Sequence, residues 1–564
     1  MKRWQKSALG IGLLLGFVAL RAAAIPRAAF NWDELALFDS VARSLRDGVL
    51  RSGGRPGLAQ LLVMPLVEGC RDEVFVARAA RTLWLGITLT YLAGLFALIH
   101  EWLRGRPYRF HDACLGVALL GLLPVFLAWS LQVRTDQIAL AGATWGTFVL
   151  LRSERQPGLA LLAGLLFGLG WISSQKLAYG AALGGLLAAG RLFVARDFEP
   201  RREAWRVALC IAGFGTLLLC FRSFLITQFT LPETHALRHA LGAQIEAAHS
   251  FSFPFYRNTI GYSQYVALLP TLVPHGVLLA ALVAACVRAS RRGAVDRRAI
   301  VAFGVLVLGI AVGLFHAAAF SYFWMTLGLF PAVIGAIAAG SAREQLFARR
   351  PEWLRPTAIA LWSAIALPAV LASLSLLTDR QSVQRESIAF VHRNFADTQL
   401  GFHPEGALFC AAPQGLGIWF SQRIYRTFES DAREHNTEIV ERWFRSQPVH
   451  YLVESFRLNQ FPLPLRRFFA ENYQPYRNSV FVAGRRLEAG DEQEFELFVE
   501  GPYRWIPFDG PHRASIDGTA VAPGEVVVLA AGPHAARVEE GAGMLVLSLG
   551  EPPGPAPLPF YEPS

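Results

Sequence analysis

Two adjacent carboxylates, Asp33 and Glu34, follow the first apolar segment of the chain and begin the stretch NWDELALFDSVARSLRDG. Apolar side chains recur in this stretch at helical spacing, and acidic and basic side chains fill the other face, which predicts an amphipathic helix lying along a membrane surface. The first turn of such a helix sits at the lipid–water boundary. A reacting group carried by a lipid can meet one arriving from water there, so this stretch is a candidate active-site rim.

The same carboxylates have a purely structural interpretation. Asn31 can cap the helix, Glu34 completes a capping-box-like pair three residues later, and acidic groups are stabilised at the positive end of a helix dipole. Local sequence leaves capping and catalysis both open.

Further ionisable groups lie at three other predicted outer connections. Arg134 and Asp136 open a helix, Lys176 closes the turn GLGWISSQKLAYG, and Arg55 precedes a proline. Such groups at a membrane boundary are costly unless they are paired or functional. Arg55 and Lys176 are candidate phosphate ligands, and Arg134 and Asp136 are candidate functional groups. The structural alternatives are an Arg134–Asp136 cap, a snorkelling lysine and a solvent-exposed loop arginine.

These groups require membrane-spanning elements to position them. The chain has 564 residues, of which 53% are hydrophobic and 17% charged, which is too apolar for a soluble protein of this size. About eleven segments are long enough to cross a bilayer: 6–25, 80–102, 110–130, 136–152, 157–175, 177–195, 206–228, 263–287, 299–318, 320–340 and 357–378.

Arginine-rich connections alternate along these segments and, by the positive-inside rule, lie in the cytoplasm. The formal charge of +10 is therefore a topology signal and does not indicate nucleic-acid binding. The three lysines against fifty arginines are typical of GC-rich bacterial coding. We predict a bacterial inner-membrane protein with domain 1–378, an outer loop at 26–81, and a periplasmic domain at 379–564.

The polar C-terminal part predicts two helices, QRESIAFVHRNF and DAREHNTEIVERWF, a short strand at ALFCAA, and a strand-rich half of β-sandwich type. Cys70 and Cys410 both fall on the predicted oxidising side. A bridge between them is conceivable, and sequence alone leaves their pairing open.

The order of several motifs resembles that of the GT-C glycosyltransferases, and within them the protein O-mannosyltransferases and the lipid A aminoarabinose transferases. The motifs are the acidic pair in an amphipathic helix, RPGLAQLL, Arg-Thr-Asp at the start of helix four, Gly-Leu-Gly followed by lysine, and FSYFWMTLGLFP. The likeness covers about residues 1–340. The expected fold class is a polytopic α-helical membrane protein of GT-C type with a C-terminal soluble α+β or β-sandwich domain.

The resemblance implies transfer of a sugar from a polyprenyl-phosphate carrier to a cell-envelope acceptor on the outer face, with inversion at the anomeric carbon. The acceptor hydroxyl needs a carboxylate base, and the family's base corresponds to Asp33. Fixed cations would stabilise the leaving phosphate, a role that suits Arg55, Arg134 and Lys176. Glu34 and Asp136 are further catalytic candidates.

The sequence departs from the aminoarabinose transferases before the proline, where Gly53 and Gly54 replace an acidic metal ligand. His235 and His239 are spaced i, i+4 on one predicted helical face and could bind a divalent ion. The alternative is that they are polar surface residues near the acceptor entrance.

A transporter or flippase of lipid-linked sugars is the rival class. It would also have many spans and intramembrane charges. The long amphipathic outer loop and a soluble part of domain size disfavour it, as does the absence of a matching inverted repeat in the sequence.

Overall fold

The computed structural model describes residues 3–50, 57–174, 177–195, 199–230, 262–291, 297, 300–301, 303–305, 325, 328–347, 351–396, 399–403, 406, 408–410, 433–455, 458, 461–554 and 560. The helices of this described part are α1 (Arg3–Ala24), α2 (Trp32–Asp47), α3 (Leu58–Glu68), α4 (Glu73–Trp102), α5 (Arg109–Gly121), α6 (Pro124–Trp129), α7 (Thr135–Arg152), α8 (Leu159–Trp171), α9 (Leu177–Ala195), α10 (Pro200–Gln228), α11 (Tyr262–Arg291), α12 (Leu329–Gln345), α13 (Leu354–Leu376), α14 (Ser382–Asn394), α15 (Arg433–Ser446) and α16 (Leu463–Asn472).

The strands are confined to the C-terminal part of the described chain. They are β1 (Leu400–Phe402), β2 (Val449–Val453), β3 (Tyr473–Arg477), β4 (Val480–Glu488), β5 (Gln493–Leu497), β6 (Gly501–Pro507), β7 (Ala514–Ile516), β8 (Thr519–Val521), β9 (Val526–Leu529), β10 (Gly532–Val538) and β11 (Ala542–Leu547).

The chain divides into two compact units. The first unit comprises Met1–Ala28, Ser44–Pro65 and Arg78–Thr378, and the second comprises Ala29–Arg43, Leu66–Ala77 and Asp379–Ser564. Two segments of the outer loop 26–81 therefore cluster with the C-terminal residues.

The first unit is helical, and α7 packs on α8 and α9, α8 packs on α10, and α12 packs on α5 and α11. Small residues allow close backbone approach, as is usual between membrane helices. A Cβ added at Gly142 would lie 2.6 Å from the Leu166 carbonyl oxygen, and one at Gly164 would clash with the backbone of Cys210. These glycines fix how closely α7 and α10 lie against α8.

Three helices in the described part of the chain are long and apolar enough to cross a membrane: Glu73–Trp102, Pro200–Gln228 and Pro351–Leu376. Eleven spans stay a prediction, because most of 299–318 and the beginning of 320–340 lie outside the described residues. The expected single span 110–130 is interrupted between α5 and α6. Pro124 begins α6, since proline lacks the N–H that a continuous helix would need.

The second unit combines helices with two sheets. Within its described residues, one sheet has the order β1-β2-β4-β11-β6-β9 with β3 also paired to β4, and the other has the order β5-β10-β7-β8. Asp517 and Gly518 join β7 to β8 with positive φ values of 50° and 77°, as a type I′ hairpin turn requires.

Both C-terminal helices expected from sequence are present as α14 and α15. The strand expected at ALFCAA is wrong for Leu408–Cys410, which form a turn and bends. The sequence interpretation also missed α16. Its Leu465, Phe468 and Phe469 are buried in the aromatic core of the second unit.

Candidate functional site

The first turn of α2 carries the two predicted acids and is fixed by a capping box. Asn31 Oδ1 accepts a hydrogen bond of 2.9 Å from Asp33 N, and Glu34 Oε2 accepts one of 2.8 Å from Asn31 N. Glu34 is fully buried, whereas Asp33 is partly exposed. The structure therefore gives the Glu34 carboxylate a capping role and leaves Asp33 the more accessible acid of the pair.

The residue before this cap is held by a glutamine from α14. Phe30 N donates to Gln384 Oε1 at 2.6 Å, and Gln384 Nε2 donates to Phe30 O at 3.1 Å. Both residues are buried, Phe30 at 1% and Gln384 at 0% exposure. One side-chain amide thus satisfies both backbone groups of Phe30.

The polar face of α2 is covered at Asp39, whereas Arg46 and Asp47 near its C-terminal end are exposed. Asp39 is only 6% exposed and pairs with Arg43 at 2.8 Å. Gly406 lies so close that a Cβ there would be 2.6 Å from the Asp39 Cβ, and the rings of Phe38 and Phe409 are 5.3 Å apart. Residues far away in sequence therefore bury Asp39, a side chain that local polarity assigned to solvent.

The segment that leads into α4 is tied to the C-terminal residues in two ways. Cys70 and Cys410 form a disulfide with Cα atoms 5.7 Å apart. The fully buried carboxylate of Glu73 lies 2.6 Å from His392 Nε2 and accepts a 3.0 Å hydrogen bond from Cys410 N. Burial, together with the negative charge of Glu73, raises the pKa of Tyr451.

His403 directly follows β1, and its carbonyl oxygen accepts a 3.2 Å hydrogen bond from Gly406 N. It is 1% exposed, and its ring packs edge-on against Phe560 with the centroids 5.0 Å apart. Burial lowers the pKa of His403 to about 3, so its imidazole is neutral at physiological pH.

In the first unit, the start of α7 holds a buried ionic group. Arg134 Nε lies 3.6 Å from Asp136 Oδ2, and the two side chains are 6% and 5% exposed. Ser174 Oγ donates to Asp136 Oδ1 at 3.2 Å, and Arg134 Nη1 donates to Gln132 Oε1 at 3.3 Å. A carboxylate and a guanidinium are thus fixed side by side at the start of α7.

Two tryptophans hold Arg134 in place. The Trp129 ring lies 5.4 Å from the Arg134 guanidinium carbon, a cation–π distance. The fully buried Trp84 donates from Nε1 to the Arg134 carbonyl oxygen at 2.6 Å. A planar guanidinium in such a setting can bind two oxygens of a phosphate with little loss of side-chain entropy.

Arg55, Lys176, His235 and His239 lie outside the described residues. Convergence of Arg55 and Lys176 with Arg134 therefore stays a prediction. No group of three or more His, Cys, Asp or Glu side chains suited to a metal ion occurs among the residues that the structure describes.

Sequence reasoning missed Ser174, Gln384 and the Glu73–His392 pair. Ser174 lies two residues before Lys176, so attention to hydroxyl groups near that lysine would have found it. Gln384 and His392 contact partners 354 and 319 residues away. No local pattern signals such distant pairs.

No protein-family model matches this sequence, and no curated protein does so either. Among solved structures, the chain is similar to ArnT from Cupriavidus metallidurans bound to undecaprenyl phosphate, with 14% identity and a TM-score of 0.51 over 80% of this chain and 95% of that one.

Two more distant similarities are to the Archaeoglobus fulgidus oligosaccharyltransferase in complex with Zn and sulfate and to the arabinosyltransferase EmbB from Mycobacterium smegmatis. The former has 11% identity and a TM-score of 0.47 over 96% of this chain and 100% of that one. The latter has 11% identity and a TM-score of 0.42 over 98% and 64%.

The match to ArnT covers nearly the whole length of that protein, and at this level of identity it is a statement about fold. The chain therefore has the fold of the GT-C glycosyltransferases.

Proposed function

We propose that this protein is an inverting membrane glycosyltransferase that moves a sugar from a polyprenyl-phosphate carrier to a cell-envelope acceptor on the outer face of a bacterial inner membrane. The observation that carries the proposal is the buried Arg134–Asp136 pair at the start of α7 in a chain of GT-C fold. Undecaprenyl phosphate, bound by the ArnT structure, is the donor carrier to test first.

Each candidate residue has a role in this proposal. Asp33 takes the proton of the acceptor hydroxyl as its oxygen attacks the anomeric carbon, and the bond from that carbon to the phosphate oxygen breaks. Arg134, with Arg55 and Lys176, stabilises the charge that develops on the departing phosphate. Asp136 orients Arg134, and Glu34 holds the turn that carries Asp33.

The described part of the second unit supports a role in acceptor recognition. It presents short strands joined by polar turns, such as Asp517-Gly518 between β7 and β8. We propose that these residues recognise the acceptor, whereas the bond-making groups are those of the loop 26–81 and the starts of the membrane helices.

The decisive experiment incubates membranes containing the protein with radiolabelled undecaprenyl-phosphate sugars and asks which molecule becomes labelled. Covalent transfer to an outer-face lipid, glycan or protein supports the proposal, and NMR of the product should show inversion at the anomeric carbon. Movement of label between leaflets with the carrier linkage intact would instead identify a transporter or flippase.

A divalent ion at His235 and His239 is a separate part of the proposal, since imidazoles at i and i+4 can share a metal. If they hold it, a chelator should lower transfer by wild-type membranes and have no further effect on a His235→Ala/His239→Ala variant. Equal loss in both proteins would place the ion elsewhere, and no loss in either would exclude a metal requirement.

A further inference from the structure

We infer that Gln384 is a positioning residue for Asp33, which makes the first helix of the C-terminal part a functional component of the transfer reaction. The inference rests on the proposed function, because it assigns Asp33 the role of base. Its physical basis is the paired hydrogen bonding between Gln384 and Phe30, three residues before Asp33.

The contact is specific in its chemistry. A primary amide offers a donor and an acceptor in one plane, so it can pair with the N–H and C=O of the same residue as a neighbouring strand would. Gln384 does so from a position with no exposure to solvent, where the backbone groups of Phe30 have no water to bind instead. Loss of the amide therefore removes two hydrogen bonds from the backbone of Phe30 in a place that solvent does not reach.

Gln384 is connected to Asp33 through hydrogen bonds and one peptide bond. Gln384 fixes Phe30, Asn31 follows directly, and Asn31 exchanges two hydrogen bonds with Asp33 and Glu34. A displacement at Phe30 is therefore passed to the capping box and to the candidate base. Misplacement of a reacting group by about 1 Å can cost about 100-fold in rate.

The middle of α14 supplies the rigidity that this role needs. Ser387 Oγ and Ser479 Oγ are 2.7 Å apart and join α14 to the turn between β3 and β4. The Phe390 ring packs on Tyr476 with a centroid distance of 5.7 Å. Gln384 thus projects from a helix anchored on the sheet, and the anchoring contacts do not touch α2.

The test compares Gln384→Met with Ser387→Ala. Gln384→Met removes two buried hydrogen bonds of α14 and Ser387→Ala removes one, but only Gln384 contacts Phe30, so Ser387→Ala is the control for general loss of stability. We expect Gln384→Met to lower kcat by about 10- to 100-fold while KM for the undecaprenyl-phosphate sugar changes little, and Ser387→Ala to leave kcat unchanged.

Hydrogen exchange on a peptide covering residues 29–36 supplies a readout independent of turnover. Exchange should be faster than wild type in Gln384→Met and unchanged in Ser387→Ala. If Gln384→Met does not fold, Gln384→Glu takes its place, because it keeps the acceptor for Phe30 N and loses the donor to Phe30 O, and its kcat should be lower than that of wild type.

Failure of the proposed function and failure of the positioning role give different results. Wild-type membranes that transfer no sugar would end the proposed function. Active wild-type membranes together with an unchanged kcat in the folded Gln384 variant would overturn the positioning role, whatever the exchange rate of residues 29–36.

Discussion

Asp33 and Glu34 are adjacent in sequence and differ in their surroundings. Glu34 is fully buried and its carboxylate accepts the Asn31 N–H, whereas Asp33 is partly exposed in the same helical turn. Capping and catalysis are therefore not alternatives for the pair: Glu34 caps the helix, and Asp33 is the candidate base.

Replacing Asp33 with asparagine should abolish most of the turnover without unfolding the protein. The amide keeps the shape of the side chain and loses the proton acceptor, so kcat should fall by about 100- to 10,000-fold with donor binding largely retained. The measurement is transfer of labelled sugar per folded molecule, together with binding of undecaprenyl phosphate.

Glu34→Ala is the control for this experiment. It removes the reciprocal half of the capping box, and we expect a loss of about 0.5–2 kcal/mol in stability. A folded Asp33→Asn protein that transfers sugar at the wild-type rate would remove Asp33 from the mechanism.

At the scale of elements, the start of α7 combines a salt bridge, a cation–π contact and a backbone hydrogen bond from Trp84. Arg134→Gln should weaken binding of undecaprenyl phosphate, because a charge-assisted hydrogen bond contributes about 1.5–3 kcal/mol, or roughly 10- to 100-fold in Kd. Titration of the detergent-solubilised protein with the lipid measures this change.

Arg134→Lys separates charge from geometry. Lysine keeps the positive charge but cannot reproduce the planar contact with Trp129, so we expect an affinity between those of wild type and Arg134→Gln. Equal affinity of all three proteins would show that Arg134 does not contact the donor phosphate.

The disulfide between Cys70 and Cys410 links the segment before α4 to the residue after Phe409, whose ring packs on Phe38 of α2. Its removal in a Cys70→Ser/Cys410→Ser variant should lower stability by about 2–4 kcal/mol, seen as a lower thermal midpoint in detergent. Cys220 is exposed and unpaired, so Cys220→Ser should leave the midpoint unchanged. A double variant with the wild-type midpoint would show that the bridge does not contribute to stability.

Sequence predicted the helical nature and nearly the bounds of α2, because apolar spacing and an Asn31–Glu34 cap are local signals. It could not predict that Asp39 is buried. Side-chain polarity reports preference for water, and the residues that replace water here include Gly406, which lies far along the chain. The same limit applies to Glu73, whose partners belong to α14 and to the turn at Cys410.

At the start of α7, the sequence prediction and the structure agree. Charges at a membrane boundary are costly, which makes Arg134 and Asp136 candidate functional residues from sequence. The structure places Arg134 Nε 3.6 Å from Asp136 Oδ2. What sequence could not supply is the identity of the supporting groups, Trp84 and Ser174, since their relation to Arg134 and Asp136 depends on how α4 and the end of α8 pack.

At the scale of the whole molecule, His403 should make stability sensitive to acid. Its pKa is about 3 in the folded protein and about 6.5 when unfolded, so below pH 6.5 the unfolded chain binds a proton that the folded chain does not. Stability is then fully present above pH 6.5 and falls progressively toward pH 3. By pH 5 the loss is about 2 kcal/mol.

His403→Phe tests this expectation, because phenylalanine can pack against Phe560 and does not titrate. The thermal midpoint of wild type should decrease from pH 7 to pH 5 by more than that of the variant. Parallel curves for the two proteins would assign the acid sensitivity to other groups.

Cys70 and Cys410 are 340 residues apart in sequence, so the first cysteine is synthesised well before its partner. Ribosomes add about 5–20 residues per second, so roughly 20 to 70 s pass between synthesis of the first cysteine and of the second. During that interval the thiol of Cys70, the carboxylate of Glu73 and the uncovered face of α2 have already been made and still lack their partners. The nascent chain thus carries an unpaired Cys70 thiol and the uncovered apolar surface of Phe38 through most of its synthesis, which makes it a substrate for thiol oxidants and for chaperones.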